Sequence, residues 1–166
     1  MPPSAGARVM VIINSDDLGM NPAVNERILD LMSRRRITSA SILANGPAVE
    51  QAIRLIPKSS GCSLGVHLNL TEFEPLTPPR HLGDLRACLN ENGVFAGERS
   101  LSNLSMSRSV QEGIYRELRL QVQKVIALGV KISHFDSHNH IHTIPQVFLV
   151  LKRLQKEFGV RKVRTT

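Results

Sequence analysis

Residues 130–142 read Val-Lys-Ile-Ser-His-Phe-Asp-Ser-His-Asn-His-Ile-His. The first part of this stretch is predicted to be a β-strand. The last part, Phe135 to His142, holds one aspartate and three histidines. Aspartate and histidine are common ligands of divalent metal ions in proteins. A strand that carries these side chains at its carboxyl end predicts a metal site in a fold where strand ends meet.

Predicted strands alternate with helices along the whole chain. The strands are predicted at 8–14, 37–44, 63–70, 130–135 and 160–164. The helices between them are predicted to start at Pro22, Pro47, Val110 and Pro145. This alternation is typical of right-handed β-α-β units, so it predicts an α/β fold with a parallel sheet. The first strand is a continuous apolar run, which is typical of a strand buried on both faces.

Two common phosphate-binding loops are absent from the sequence. No Gly-x-Gly-x-x-Gly motif follows the first predicted strand, and no P-loop motif occurs anywhere in the chain. The dinucleotide-binding and P-loop classes therefore lack the glycine-rich loops that would hold their phosphates.

The charge of the chain raises the alternative of a basic nucleic-acid-binding module, because the formal net charge is +7. However, the basic residues are spread along the sequence. Aromatic residues make up only 4% and tryptophan is absent, so side chains that could stack on bases are scarce. The composition therefore argues against a nucleic-acid partner.

A chain of 166 residues is long enough for a substantial core, and we predict a single α/β domain over 1–166. Residues 1–7 are expected to be a disordered lead-in, without the pattern of a signal peptide. Residues 71–109 lose regular periodicity and are predicted to form a loop layer over the site. No apolar run is long enough for a membrane span. Cys62 and Cys88 lie outside any Cys-x-x-Cys pair, which predicts reduced thiols in a cytoplasmic protein.

Aspartate and histidine side chains lie at or just after the carboxyl ends of three of the predicted strands. Asp16 and Asp17 follow the first strand, the third strand carries His67, and the fourth ends at Asp136 to His138. Because parallel strands end on the same edge of a sheet, we expect these side chains to meet. Each one alone has an ordinary structural explanation, such as a turn cap or a hydrogen-bonded core histidine. Together they favour a site for Zn²⁺ or another divalent ion, with open positions for water or substrate.

Three ordered motifs carry a resemblance to a known family. They are Asn-Ser-Asp-Asp-Leu-Gly at 14–19, Gly-Val-His-Leu-Asn-Leu-Thr at 65–71 and Phe-Asp-Ser-His-Asn-His-Ile-His at 135–142. In order and spacing these motifs resemble the YdjC-like carbohydrate deacetylases. The resemblance implies a deformed (β/α) barrel that removes N-acetyl groups from amino sugars such as chitooligosaccharides. It also implies a divalent metal ion, Mg²⁺ or Zn²⁺, as the cofactor.

The resemblance further implies roles for individual residues. Asp17, His67 and His138 take the positions of the metal ligands, and Asp16 takes that of the catalytic base. Spacing alone leaves His138 and His140 open as the ligand, because both would point the same way in an extended strand. The family pattern favours His138, which directly follows the Asp-Ser pair.

Four further residues are predicted at the site. His140 or His142 is a candidate for the acid that protonates the leaving amine, but the further part of the family fold could equally supply this acid. Asn69 shares a strand face with His67 and is predicted to bind sugar hydroxyls or the acetyl group. Asp136 is predicted to contact substrate or to orient a ligand histidine.

Members of the resembled family are typically longer and have further strands. Five strands cannot close a barrel of eight. We therefore expect the barrel to be incomplete in this chain and a sheet edge to be exposed. Either the chain is a piece of a longer protein, or a partner such as a second copy covers the edge. A non-catalytic metal- or sugar-binding relic of the family remains the alternative function.

Overall fold

The computed structural model describes residues 11–58, 60–105 and 107–165. Within them, five parallel strands form one sheet in the order β1-β2-β3-β4-β5, so each strand pairs with the next along the chain. The strands are β1 Asn14–Leu18, β2 Ser39–Ile42, β3 Ser63–Leu68, β4 Ile132–Ser137 and β5 Lys162–Val163. The helices are α1 Pro22–Ser33, α2 Val49–Leu55, α3 Glu98–Ser102, α4 Arg108–Ala127 and α5 Pro145–Phe158. The predicted α/β class is confirmed, and the open sheet is consistent with the predicted deformed barrel. The predicted lead-in at 1–7 lies outside the described residues.

Local sequence signals set the helix boundaries. Asn21 caps α1 by accepting a backbone hydrogen bond at 2.9 Å, and Pro22 occupies the first turn, as predicted. Ser107 caps α4 in the same way at 3.2 Å. Gly159 adopts a φ of 68° directly after α5, a conformation that glycine reaches without steric cost. In the described part of the chain, no helix is both long enough and apolar enough to cross a membrane.

The first strand extends further along the chain than predicted. The predicted range was 8–14, of which residues 8–10 lie outside the described residues, whereas β1 spans Asn14–Leu18. Residues 11–13, Val-Ile-Ile, precede β1 and are 67%, 78% and 50% exposed, so the prediction of a strand buried on both faces is wrong for them. Pairing with β2 begins only at the carbonyl of Ile13. These three side chains are exposed because no described element packs over them.

The core lies between the sheet and the helices. The apolar face of α4 consists of the predicted positions Val110, Ile114, Leu118, Val122 and Val125, each at most 1% exposed. These side chains belong to the same buried cluster as Phe135 of β4 and Leu68 of β3. Burial of side chains of this size contributes about 1.5–3 kcal/mol each, so this cluster supports the two strands that carry the histidines.

Residues 71–109 have more regular structure than predicted. They contain 3-10 turns at Pro79–His81 and Gly83–Cys88, the helix α3, and an antiparallel bridge between Leu89 and Phe95. The 3-10 turn at Gly83–Cys88 packs against α4. Much of the segment therefore rests on α4.

Two buried polar residues of α4 hold the chain that leaves β3. The Glu117 carboxylate accepts hydrogen bonds from the backbone N of Leu76 at 3.0 Å and of Thr77 at 2.7 Å. The Gln121 amide donates to the backbone carbonyl of Asn69 at 2.6 Å and accepts from its backbone N at 2.9 Å. Hydrogen bonds to a carboxylate, such as the two of Glu117, are stronger than those between neutral groups. The segment after β3 is therefore fixed in position beside the carboxyl ends of the strands.

Candidate metal centre

The three predicted metal ligands meet at the carboxyl edge of the sheet. Asp17 Oδ1 lies 2.9 Å from His138 Nδ1 and 3.4 Å from His67 Nε2. Each of the three residues offers one ligand atom, and these three atoms lie within 4.8 Å of one another. The two imidazoles are buried, whereas the Asp17 side chain is 29% exposed, so the group is open to solvent on one side. One carboxylate and two imidazoles in this arrangement form a suitable set of donors for a divalent ion.

A bulge in β1 brings both aspartates to the site. Between the paired residues Ser15 and Leu18, β1 has two residues where β2 has one. In a regular strand, adjacent side chains would point to opposite faces of the sheet. Asp17 has a φ of 66°, a left-handed conformation that aspartate and asparagine tolerate better than most residues. The bulge therefore directs Asp17 toward the imidazoles and Asp16 toward Arg164.

Asp136 fixes the orientation of His67. His67 Nδ1 lies 2.8 Å from Asp136 Oδ1, and both side chains are buried. When Nδ1 carries the proton, Nε2 is left as the acceptor that faces Asp17. The second oxygen of Asp136 accepts a hydrogen bond from Ser41 Oγ. Because Asp136 is 0% exposed, its position favours the orienting role, and its contact with substrate stays a prediction.

The charges around Asp17 favour a cation. The hydrogen bond with His138 lowers the pKa of Asp17, against the opposing effect of burial. The same hydrogen bond raises the pKa of His138, again against burial, and the Asp17 charge adds to it. Both shifts have the same cause, the attraction between the negative Asp17 and a protonated His138. A divalent ion at this position would take the place of the His138 proton.

Arg164 holds the predicted catalytic base, Asp16, in a two-point contact. Its Nη1 and Nη2 donate to the two carboxylate oxygens at 2.7 and 2.9 Å, and Asn14 Nδ2 donates at 2.6 Å. Arg164 Nη2 also lies 3.4 Å from Asp136 Oδ2. Burial alone raises the pKa of Asp16, but the hydrogen bond from Arg164 and the charges of His67 and Arg164 outweigh it and lower the pKa. Asp16 is therefore ionised at neutral pH and fixed in orientation.

A second group of possible ligands overlaps the first. Asp16, His67 and Asp136 also lie close enough together to hold an ion. Both carboxylates of this group already face the Arg164 guanidinium, which supplies a positive charge there. An additional cation would be repelled by that charge. The group around Asp17 is therefore the better candidate for the metal centre.

Replacement of Arg164 by methionine is expected to lower the free energy of unfolding by about 1–2 kcal/mol near pH 7. This loss of stability lies in the lower part of the range for hydrogen bonds to charged groups. We expect the lower part because Asp16 is partly exposed to solvent, which weakens its interaction with Arg164. The pKa of Asp16 lies below its ordinary value of 3.8. A group with a lowered pKa stabilises the fold fully above its unfolded pKa, and the contribution is lost as the pH falls through the folded pKa. The difference between the two proteins should therefore shrink below about pH 4.

Urea denaturation in the presence of a chelator, at about pH 7 and pH 3.5, measures this difference. Arg34→Met is the matched control, because Arg34 forms an exposed ion pair with Asp30 at 2.8 Å. Such a pair contributes less than about 1 kcal/mol. If Arg164→Met lowered the free energy of unfolding by the same amount at both pH values, the aliphatic part of the Arg164 side chain, and not its charge, would stabilise the site.

His138 and His140 do not point the same way, because the chain is not extended after β4. β4 ends at Ser137, and residues 138–143 form a 3-10 turn instead of an extended strand. Asn139 and His140 have φ values of 51° and 52°, which turn the chain sharply after His138. His138 consequently faces Asp17, whereas His140 is exposed.

His142 lies in a buried position behind this turn. Its Nδ1 is 2.5 Å from Ser137 Oγ. Its Nε2 has no hydrogen-bond partner among the described residues, although the side chain is only 4% exposed. Burial lowers the pKa of His142, which keeps the imidazole neutral. The acid roles predicted for His140 and His142 stay predictions.

Asn69 is fully buried at the end of β3, and its side chain holds the following loop. Its Oδ1 accepts from the backbone N of Thr71 at 2.9 Å and of Glu72 at 3.2 Å. Its Nδ2 donates to the Asn45 side chain at 3.1 Å and to the Glu72 carbonyl at 2.7 Å. These contacts give Asn69 a structural role, and sugar binding by Asn69 stays a prediction.

Two residues that the sequence analysis did not predict contact the site. Arg164 follows β5 at the same edge of the sheet, so the strand-end argument extended to the fifth strand would have found it. Glu72 Oε1 lies 3.3 Å from His138 Nε2. Glu72 belongs to the segment 71–109, where no periodicity in the sequence places a side chain.

Comparison with known proteins finds curated relatives that match at least 90% of this chain. A carbohydrate deacetylase of Geobacillus stearothermophilus is 35% identical over 156 residues, which are 93% of this chain and 60% of the relative. A carbohydrate deacetylase of Vibrio cholerae is 34% identical over 151 residues, covering 90% of this chain and 56% of the relative. The chain thus spans less than two thirds of the length of these relatives.

A solved structure and a family profile agree with this result. The crystal structure of a candidate cellobiose-phosphate cleavage protein from Enterococcus faecalis matches with a TM-score of 0.77 and 26% identity. The match covers 93% of this chain and 57% of that chain. The profile of the YdjC-like proteins matches residues 10–166, which include every residue of the candidate metal centre. The chain therefore belongs to the YdjC-like protein family.

Proposed function

We propose that this chain carries the active site of a metal-dependent deacetylase that removes N-acetyl groups from amino sugars or chitooligosaccharides. The main support is the meeting of Asp17, His67 and His138 at the ends of three separate strands, with Asp16 beside them. The carbohydrate deacetylases among the relatives support the reaction class. The N-acetylated sugar is the substrate that this reaction class requires.

The side chains around Asp17 fit a divalent ion. Zn²⁺ readily binds one carboxylate and two imidazoles and keeps further positions for water or substrate. Mg²⁺ prefers an octahedral shell of oxygen ligands. Of the two predicted ions, the donor set therefore favours Zn²⁺. When bound, the ion would polarise the acetyl carbonyl and lower the pKa of a water molecule.

Asp16 acts as the general base in this proposal. Its neighbour Asp17 faces the metal centre, whereas Asp16 is held by Arg164 and keeps its carboxylate ionised. An ionised carboxylate in a fixed orientation can accept the proton of the attacking water. Because of the bulge in β1, Asp17 can bind the metal ion while the adjacent Asp16 accepts the proton.

A histidine of the turn after β4 donates a proton to the leaving amine. Two candidates lie in that turn, and their surroundings differ. His142 presents a buried Nε2 that has no hydrogen-bond partner in the described part of the chain. His140 is exposed and has direct access to solvent. An imidazole can transfer a proton near neutral pH, but His142 would first have to take up a proton, because its burial favours the neutral form.

Acetate release from N-acetylglucosamine oligomers tests the proposed function. The Zn²⁺-loaded chain is expected to release acetate, and removal of the ion by a chelator should abolish the release. Restoring the ion should restore it. An enzyme-coupled acetate assay makes the measurement, with the chelated protein as control. Stoichiometric Zn²⁺ binding without acetate release would favour the alternative of a non-catalytic relic.

The exposed edge of the sheet supports a further proposal about assembly. Within the described residues, β1 and β5 are the outer strands of the sheet, so each has one side without a strand partner. We propose that a second copy of the chain covers the edge at β5. We also propose that the chain is one α/β domain with 71–109 as its loop layer.

We further propose that the protein is cytoplasmic. The free thiols of Cys62 and Cys88 are compatible with this location, where disulfides are rare.

A further inference from the structure

Glu72 contacts the candidate metal centre from the side opposite Asp17. Its Oε1 lies 3.3 Å from His138 Nε2, while His138 Nδ1 lies 2.9 Å from Asp17 Oδ1. The two nitrogens of this imidazole therefore face two different carboxylates. No motif of the sequence analysis includes a role for Glu72.

His67 and His138 have similar surroundings, because each of their ring nitrogens faces a carboxylate. His67 directs Nε2 toward Asp17 and Nδ1 toward the carboxylate of Asp136. His138 directs Nδ1 toward Asp17 and Nε2 toward the carboxylate of Glu72. Histidines that bind metal ions usually donate their second ring N–H to a carboxylate, a carbonyl or water. Glu72 thus occupies the place beside His138 that Asp136 occupies beside His67.

The backbone of Glu72 is held in place from several directions. Asn69 accepts a hydrogen bond from the backbone N of Glu72, and Asn69 and Asn45 both donate to its carbonyl, at 2.7 and 3.0 Å. The next residue, Phe73, has a φ of 63°, a conformation that a bulky residue adopts only when its surroundings enforce it. The loop is therefore built to keep Glu72 at this point.

We infer that Glu72 is a positioning residue for His138: it accepts a hydrogen bond from Nε2 and so leaves Nδ1 to bind the ion. The inference rests on the proposed metal centre. It assigns different ligating nitrogens to the two histidines, Nε2 in His67 and Nδ1 in His138. Because the Glu72 side chain is 46% exposed, its effect is smaller than that of the buried Asp136.

Zn²⁺ titration of the full chain tests this role. Glu72→Gln is expected to weaken Zn²⁺ binding by about tenfold, the lower end of the effect seen when such outer carboxylates are removed. Glu74→Gln is the matched control, because Glu74 lies two positions further along the same loop and is exposed. The control should bind Zn²⁺ as the unchanged protein does. Isothermal titration calorimetry measures the dissociation constants, and circular dichroism checks that both variants are folded.

A spectroscopic measurement separates positioning from a general effect on structure. Long-range ¹H–¹⁵N correlation of the Zn²⁺-loaded protein should show His138 with a metal-bound Nδ1 and a protonated Nε2. A metal-bound Nε2 in His138 would overturn the inference, as would equal Zn²⁺ affinities of Glu72→Gln and the control. If the unchanged chain bound no Zn²⁺, the proposed metal centre itself would be overturned, and the inference with it.

Discussion

Asp17→Asn is expected to abolish Zn²⁺ binding, raising the dissociation constant by at least about 100-fold. Asp17 supplies the only carboxylate of the proposed ligand set, and its Oδ1 faces both imidazoles. Loss of the charged partner of a largely buried group costs at least about 3 kcal/mol, and each 1.4 kcal/mol is a factor of ten in affinity. Asparagine has the same shape and tolerates the φ of 66° at this position, so the bulge should persist.

Calorimetric titration of chelator-treated protein measures this loss. Asp30→Asn serves as the control, because the Asp30 side chain is 42% exposed on α1 and forms a surface ion pair with Arg34. The control should bind one Zn²⁺ per chain with unchanged affinity. Retention of tight, stoichiometric binding by Asp17→Asn would move the centre to the group of Asp16, His67 and Asp136, which lies next to it.

The parallel arrangement of the strands could be predicted from local patterns, whereas the order of the strands in the sheet could not, because several orders fit the same alternation of strands and helices. In the structure each strand pairs with the next one in the chain. Strands joined by helices give parallel, right-handed crossovers almost without exception. The same rule brings the carboxyl ends of β1, β3 and β4 to one edge. This is why Asp17, His67 and His138 could be predicted to meet.

The position of β1 could not be predicted from hydrophobicity. The apolar run at 8–14 has the pattern of a buried strand, yet residues 11–13 are exposed. Burial depends on whether another element packs over a run, and the run itself does not contain that information. The bulge at Asp16 and Asp17 is likewise a property of the pairing with β2. A regular strand would have sent these two side chains to opposite faces.

Contacts between side chains that are distant in the sequence could not be predicted either. Arg164 and Asp16 are 148 positions apart. The strand-end argument places both at one edge of the sheet, but it does not predict that they pair. Glu72 reaches His138 only because Asn69 and Asn45 fix its loop. Residue types at strand ends predict which chemistry is present. The partners that orient each group depend on packing and become visible only in three dimensions.

Asp16→Asn is expected to reduce acetate release by about 10²–10⁴-fold, the usual contribution of a positioned general base. Asparagine keeps the shape of aspartate and can still accept a hydrogen bond from Arg164. It cannot take a proton from water. Because both carboxylate oxygens of Asp16 accept hydrogen bonds from Arg164 and Asp16 is not one of the proposed ligands, the Zn²⁺ dissociation constant should change little. The acetate assay and calorimetric titration together make the measurement.

The comparison between Asp16→Asn and Asp17→Asn is the sharpest test of the bulge. The two substitutions are chemically identical and lie at adjacent positions, so a general loss of structure would affect them alike. The geometry predicts opposite results: loss of Zn²⁺ with Asp17→Asn, and loss of catalytic rate with Zn²⁺ retained in Asp16→Asn. Loss of Zn²⁺ in both variants would mean that the two carboxylates act as one ligand group. A wild-type rate in Asp16→Asn would mean that another residue takes the proton.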